Sequence, residues 1–431
     1  MNASRQFNRF LHAPVKNMQL IRPIRQSMNT YIARQPIFDR KIHVKAYELL
    51  FRSDDRATQF TDIDQDQASS HVVMESFHTM GVEVLTSGRP AFINFTSTLL
   101  LENIATLFPK DLLVIELLEN IEPTPEIIRA CHDLYKKGYV LALDDFVYHP
   151  SLEPLIKLCQ IIKFDFLQNT PQEIADMLKH MDTRGKQLLA EKIETMDCFN
   201  TAVKMGFSLF QGYFFSKPVT LTSKKLVPLQ ENYIALLKEI HTEHDVDFAR
   251  ISRIIHKDVA LSYKLLRLVN SVFYGMRFKA TDIKHALAVL GTREIRKWIL
   301  LMTIMRLNSN KPDEIIKMSL IRGRFMELMH SYCRKNLSFE NLFLTGLFSM
   351  IDVLVEKPME DALTDLPLAP QVRDALVKRK GTLHDLLNMV VCLERSEWDE
   401  ADKLAELFNV NTGQVSNIYI NAVKWCNEMP F

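Results

Sequence analysis

Seven polar residues interrupt an otherwise apolar rhythm in the first half of the chain. Glu48, Asn94, Glu116, the pair Asp144 and Asp145, Lys163 and Glu191 each fall at the end of a short hydrophobic run. If those runs are parallel strands of a barrel, their ends converge on one rim, where barrel enzymes carry their catalytic groups. The set is rich in oxygen donors, with no Cys or His at the corresponding positions, and this selects a hard cation such as Mg²⁺ or Mn²⁺ over structural zinc. Asp144 and Asp145 follow Leu141-Ala142-Leu143, and adjacent carboxylates at a strand end can serve two ions, as in two-metal phosphodiester cleavage. So many acids would repel one another without cations between them. Lys163 has two readings: a contact to a phosphate oxygen or the attacking water, or a surface lysine paired with Asp165. Any one of these acids alone is more readily a solvated loop carboxylate or half of an ion pair. Their joint placement is what points to chemistry.

The elements that must position them are short and evenly spaced. Strands are predicted at Ala46 to Phe51, Ala91 to Asn94, Leu112 to Leu117, Val140 to Phe146, Ile161 to Phe166, Leu188 to Ile193 and Phe207 to Gln211, each followed by a turn and a segment of helical periodicity. Their near-continuous hydrophobicity implies strands buried on both faces, in a parallel barrel or a doubly wound sheet. No Gly-x-Gly-x-x-Gly turn follows any of them, which argues against a dinucleotide fold. After Pro218 the strand-like runs cease, and Val259 to Phe273, Ile283 to Leu307 and Asn341 to Val355 read as helices. The organisation expected is a basic, loosely held tail over 1–28, an α/β unit over 29–218, a linker over 219–230 and an all-α domain over 231–431.

Bulk properties exclude other classes. Lys plus Arg at 53 against Asp plus Glu at 52 leaves a net charge of +1, which favours neither a nucleic acid polymer nor an anionic membrane as partner. The six cysteines are scattered, with no Cys-x-x-Cys pair, as expected of reduced thiols in a cytoplasmic protein. The most apolar run, Trp298 to Met305, is far shorter than the roughly 20 residues of a membrane span. The N-terminus carries Arg5, Arg9, Lys16, Arg22 and Arg25 without an acid and lacks the apolar core of an export signal.

From about Tyr31 to Pro218 the chain resembles EAL-type cyclic di-GMP phosphodiesterases. The resemblance rests on Tyr47-Glu48-Leu49-Leu50-Phe51-Arg52, Phe92-Ile93-Asn94, Glu116-Leu117-Leu118-Glu119, Asp144-Asp145-Phe146, Lys163-Phe164-Asp165, Ala190-Glu191-Lys192-Ile193-Glu194 and Gln211-Gly212-Tyr213, in family order. It implies a TIM-type (β/α) barrel that hydrolyses cyclic di-GMP to linear pGpG with two Mg²⁺ or Mn²⁺ ions, and so affects motility and biofilm formation. Glu48, Asn94, Glu116 and Asp144 would hold one ion, and Asp144, Asp145 and Glu191 the second. Lys163 and Glu191 would orient and deprotonate the water, Arg52 would meet a phosphate, Gln211 would line the site, and Glu119 and Glu194 would brace the loop after Asp145. In this family that loop links homodimer contacts through the barrel to the metal site. Two departures stand out: Leu49 replaces the alanine of the naming motif, and Val147 replaces a glycine in a loop that continues Tyr148-His149-Pro150-Ser151.

The second half resembles HDOD domains, through Asp258 to Ser271, His285-Ala286-Leu287-Ala288-Val289-Leu290-Gly291 and Thr345-Gly346-Leu347-Phe348-Ser349. This class is similar to HD phosphohydrolases stripped of their metal ligands, which implies regulation through a protein partner. The isolated pairs His244-Asp245 and His384-Asp385 supply too few ligands for a second metal centre. The competing reading is a receptor that keeps the pocket and signals through the helical domain without turnover. Leu49 and the altered loop favour it, while the retained aspartates, Lys163 and Glu191 favour the enzyme.

Overall fold

The computed structural model describes residues 30–53, 82–216, 231–240, 247–270, 280, 282–307, 312–333, 337–364, 366 and 368–429. The expected tail and linker, and His244-Asp245, lie outside them. Eight strands close a barrel in chain order: β1 (Thr30–Asp39), β2 (Val44–Ser53), β3 (Ala91–Phe95), β4 (Leu113–Leu117), β5 (Val140–Leu143), β6 (Ile161–Asp165), β7 (Gln187–Glu191) and β8 (Leu209–Gln211). The sequence reading located seven of these and missed β1. It also took the sheet as wholly parallel, whereas β1 runs antiparallel to both its neighbours, β2 and β8. Strand β5 stops at Leu143 rather than Phe146, because Asp145 takes a left-handed φ of 38° that ends the extended run.

Local chemistry explains the helices that separate the strands. Thr124 and Thr170 each cap a helix whose first residue is proline, Pro125–Lys137 and Pro171–Lys179, the second through a capping box with Glu173. In the second half, the expected helix Ile283 to Leu307 is broken at Gly291, whose φ of 71° and ψ of 171° suit only glycine. The stretch Asn341 to Val355 is likewise two helices, Phe339–Leu347 and Ile351–Val355, and Val259–Val269 stops short of the expected Phe273. No described helix is long and apolar enough to cross a membrane.

The interior of the barrel begins with an apolar plug. Ile37, Ala46, Phe92, Val114, Ala142, Ile161, Leu189 and Leu209, one from each strand, form a buried cluster of their own. Because side chains alternate along a strand, the residue two positions toward the rim points inward as well. Those eight residues are Gln35, Glu48, Asn94, Glu116, Asp144, Lys163, Glu191 and Gln211, so the layer above an apolar floor is polar all round.

The β1–β2 hairpin has no crossover helix between its strands, and helices from the second half flank it. On its outer face, Arg34 donates to Leu85 O (2.7 Å) and lies 3.7 Å from Glu314 of the helix Asp313–Leu328, while Tyr47 donates to the same Glu314 (2.8 Å). Near the last helix, Thr412–Glu428, Ser87 Oγ bonds Asn427 (2.8 Å). The hydrophobic core is accordingly continuous from the outside of the barrel into the helical region.

Candidate functional site

The polar layer is organised around one lysine. Lys163 Nζ is fully buried and lies 2.5 Å from Glu116 Oε1, 2.6 Å from Asp144 Oδ1, 2.9 Å from Glu191 Oε1 and 3.7 Å from Glu48 Oε1. This removes the surface-lysine reading, and Asp165 pairs instead with Lys192 (2.5 Å). Burial would lower the Lys163 pKa, but Glu116, Glu191, Glu48 and Asp144 outweigh it and hold the ammonium well above its ordinary value. Four carboxylates against one ammonium leave an excess of negative charge. Burial pushes the Glu116 carboxyl well up, with Glu48 and Asp144 adding to the rise and Lys163 opposing it. Burial likewise raises Glu191 to about 8, against the pull of Lys163 and with help from Asp144 and Glu48.

The donor set fits divalent cations. Asn94 Oδ1, Glu116 Oε2 and Glu191 Oε2 are buried without a hydrogen-bond partner among the described residues, and buried oxygens of this kind require a donor or a cation. Asp144, Asp145 and Glu191 each bring one carboxylate oxygen within 4.8 Å of the others, the one such cluster of metal-ligating side chains among the described residues. These three are the set expected for the second ion. The four expected for the first, Glu48, Asn94, Glu116 and Asp144, lie in the single layer around Lys163. Asp145 reaches the group because its left-handed φ turns the chain out of β5. Burial raises its carboxyl, while Lys192, 3.9 Å away, opposes the rise.

Gln211 lies in the same layer, where its Nε2 donates to Glu48 Oε2 (2.5 Å) and to Gln35 Oε1 (2.9 Å). The next residue must be glycine, since Gly212 has φ of 138° and a Cβ there would collide with the backbone of Ile193. Arg52 stands at the rim end of β2, paired with Asp399 Oδ1 at 2.8 Å. Glu119 and Glu194 are exposed, and Glu119 makes no side-chain hydrogen bond or ion pair among the described residues. Leu49 is buried on the face of β2 opposite Glu48, so the departure from alanine bears on packing outside the barrel. Val147 is 62% exposed on the loop after Asp145. Gln35 was missed together with its strand. The signal available was the apolar run Tyr31 to Ala33 resuming at Ile37 and Phe38 on either side of Arg34-Gln35-Pro36. His384, at the start of the helix Thr382–Glu394, joins no ligand cluster among the described residues.

A closed barrel with a ring of acids above an apolar floor defines a class of protein built to hold cations at a strand-end rim. The comparisons narrow that class. Residues 25–218 match the EAL domain and residues 226–366 the HDOD domain. The chain is 37% identical to the uncharacterized protein YuxH of Bacillus subtilis, over 93% of this chain and 99% of that one. It is 33% identical to the cyclic di-GMP phosphodiesterase CdgJ of Vibrio cholerae, over 93% of each. Among solved structures, the Klebsiella pneumoniae BlrP1 complex with calcium and cyclic di-GMP aligns with a TM-score of 0.37 and 20% identity, over 44% of this chain and 55% of that one. The chain belongs to the EAL–HDOD family. The helices Thr382–Glu394, Trp398–Leu407 and Thr412–Glu428 lie beyond the HDOD match.

Proposed function

We propose that this chain is a cyclic di-GMP phosphodiesterase that opens one phosphodiester of the cyclic dinucleotide to give linear pGpG, using Mg²⁺ or Mn²⁺. The observation that carries this reading is the convergence of four carboxylates, three buried and Asp144 partly so, on Lys163, with unpartnered oxygens on Asn94, Glu116 and Glu191 beside them. Glu48, Asn94, Glu116 and Asp144 would hold one ion, and Asp144, Asp145 and Glu191 the other. Bound there, the ions would lower the pKa of water and stabilise charge on the leaving oxygen.

The chain's own groups have distinct tasks. Lys163 supplies a fixed positive charge for a phosphate oxygen, in a site that excludes bulk water and so strengthens the contact. Glu191 Oε2 accepts a proton from the attacking water. Burial raises its carboxyl to about 8 when no cation is bound, and a cation beside it would hold it ionised and able to take that proton. Gln211 and Gln35 fix the orientation of Glu48, and Arg52 at the rim takes a substrate phosphate. The loop from Val147 would carry a homodimer contact, and the helical region a protein partner. The proposed division places a linker over 219–230 between the two domains, while the HDOD match begins at residue 226 and ends at 366.

A second reading, a receptor with little turnover, rests on the altered loop after Asp145, where Val147 is 62% exposed. Incubation of the purified chain with cyclic di-GMP and Mg²⁺ or Mn²⁺, with separation of nucleotides, decides between them. Linear product supports the enzyme. Binding without product under either metal leaves the receptor.

A further inference from the structure

Strands β1 and β2 continue past the acid layer, and their last inward-facing residues, Tyr31 and Arg52, are direct partners in the ladder. They are two alternations rimward of Gln35 and Glu48, where a substrate entering the barrel mouth would pass. One stretch of chain meets this whole edge of the mouth. The Tyr31 ring stacks on Trp398 at 5.6 Å, its hydroxyl donates to Asp402 Oδ1 (2.6 Å), and Arg52 pairs with Asp399. Below them, Gln35 Nε2 approaches Glu394 O (3.4 Å) and Ser396 Oγ (3.5 Å), and Tyr213 donates to Glu394 O (2.5 Å). A polar chain therefore runs from Glu48 through Gln211 and Gln35 to the turn that follows the helix Thr382–Glu394.

That turn is itself tethered to the HDOD-matched region. Arg322, buried in the helix Asp313–Leu328, holds the Glu394 carboxylate through Nε (3.0 Å) and Nη2 (2.6 Å) and donates through Nη1 to Ser349 (3.2 Å). The inner end of the segment is thus fixed by a buried, bidentate pair. Its outer end is loose: Asp399 is 84% exposed and Arg52 38%, and an ion pair so open to water is readily exchanged for another anion.

Resting on the reading that Arg52 receives a substrate phosphate, we propose that residues 394–402 are an internal cap on the substrate entrance, in which the Asp399 carboxylate holds the place of that phosphate. The cyclic dinucleotide and the cap compete for one guanidinium. A shift of the helix bearing Arg322 changes the outcome, because it moves Glu394 and the turn behind it. Input to the helical region would reach the catalytic layer by this route, through entry of substrate rather than through the metal ligands.

The test uses the full chain and three forms: wild type, Asp399→Asn and, as a control, Glu400→Gln. Glu400 stands in the same first helical turn but pairs with Lys403 at 3.0 Å. The cap requires that Asp399→Asn lower KM for cyclic di-GMP several-fold with kcat little changed, and that Glu400→Gln leave both alone. Hydrogen exchange of peptides spanning 394–402 should quicken when cyclic di-GMP is added to the wild type. A wild type that hydrolyses cyclic di-GMP, with unchanged KM in Asp399→Asn and unaltered exchange, overturns the cap while the proposed function stands. If none of the three forms binds or hydrolyses the nucleotide, the proposed function fails and the cap fails with it.

Discussion

Two buried charge clusters in this molecule are near opposites. In the barrel, one ammonium, Lys163, is surrounded by four carboxylates. In the helical region, one carboxylate, Glu327, is surrounded by three cations: Lys297 at 2.5 Å, Arg324 at 2.8 Å and Arg293. The carboxyl groups respond in opposite directions. Glu191 is pushed up to about 8, chiefly by burial among other acids. Burial would raise Glu327 too, but Lys297, Arg324 and Arg293 overcome it and bring its carboxyl down to about 2. A carboxylate cluster that cannot stay ionised by its own means is a site for added cations, whereas a carboxylate already over-supplied with cations is a structural staple. Charge alone marks neither; the sign of the imbalance does.

The sharpest way to break this comparison is at the two central residues. Replacing the proposed ligands Glu48 or Asp144 by alanine should abolish hydrolysis, and Lys163→Ala should reduce it by about 10²–10³-fold, as for other lost electrostatic groups. In a chelator, Lys163→Ala leaves four acids without a counter-charge and should destabilise the fold by about 3–5 kcal/mol. Mn²⁺ should restore more of its melting temperature than it adds to the wild type. If Mn²⁺ gives Lys163→Ala no larger gain, the acid layer is not a cation site.

Glu327→Ala is the counterpart. Its three partners are part-exposed and can turn to water, so the loss should be smaller, about 2 kcal/mol. Denaturation in chelator and in Mn²⁺ should give the same loss, and rescue by the metal would contradict a staple role.

The pH dependence separates the two regions more gently. A carboxyl whose folded pKa is raised keeps its proton in the folded state while the unfolded chain has lost it, so stability falls as pH rises. Without divalent cation, the melting temperature should fall as pH rises from about 4.5 toward about 8, the window of Glu191. The gain from Mn²⁺ should be greatest at its upper end. For Glu327 the sign is reversed: its contribution is complete above about 4.5 and is lost as pH falls toward about 2. A metal-free melting curve flat across the upper window would show that the barrel acids are neutralised in some other way.

The smallest expected effect is none. His244 and Asp245, changed together to alanine, should leave turnover nearly as in the wild type, because a metal site needs more ligands than one isolated pair. Lost activity in a folded double variant would place chemistry in the second half.

The sequence by itself determined seven of the eight strands and seven of the eight residues of the polar layer, because an apolar run that ends on a carboxylate, amide or lysine is a local pattern with a period of two. It also separated the α/β half from the helical half through the change of period after Pro218. What it could not determine is β1. Arg34-Gln35-Pro36 in the middle of that strand breaks every local rule for a buried element. Those residues are accommodated by partners far away in the chain: Glu314 faces Arg34, and Gln211, Glu394 and Ser396 face Gln35. The destination of Arg52 was hidden for the same reason, since Asp399 meets it only once the C-terminal helices have docked. Only tertiary structure could decide these points, because a buried polar residue is stable by virtue of its partner, and no local pattern names a partner hundreds of residues away.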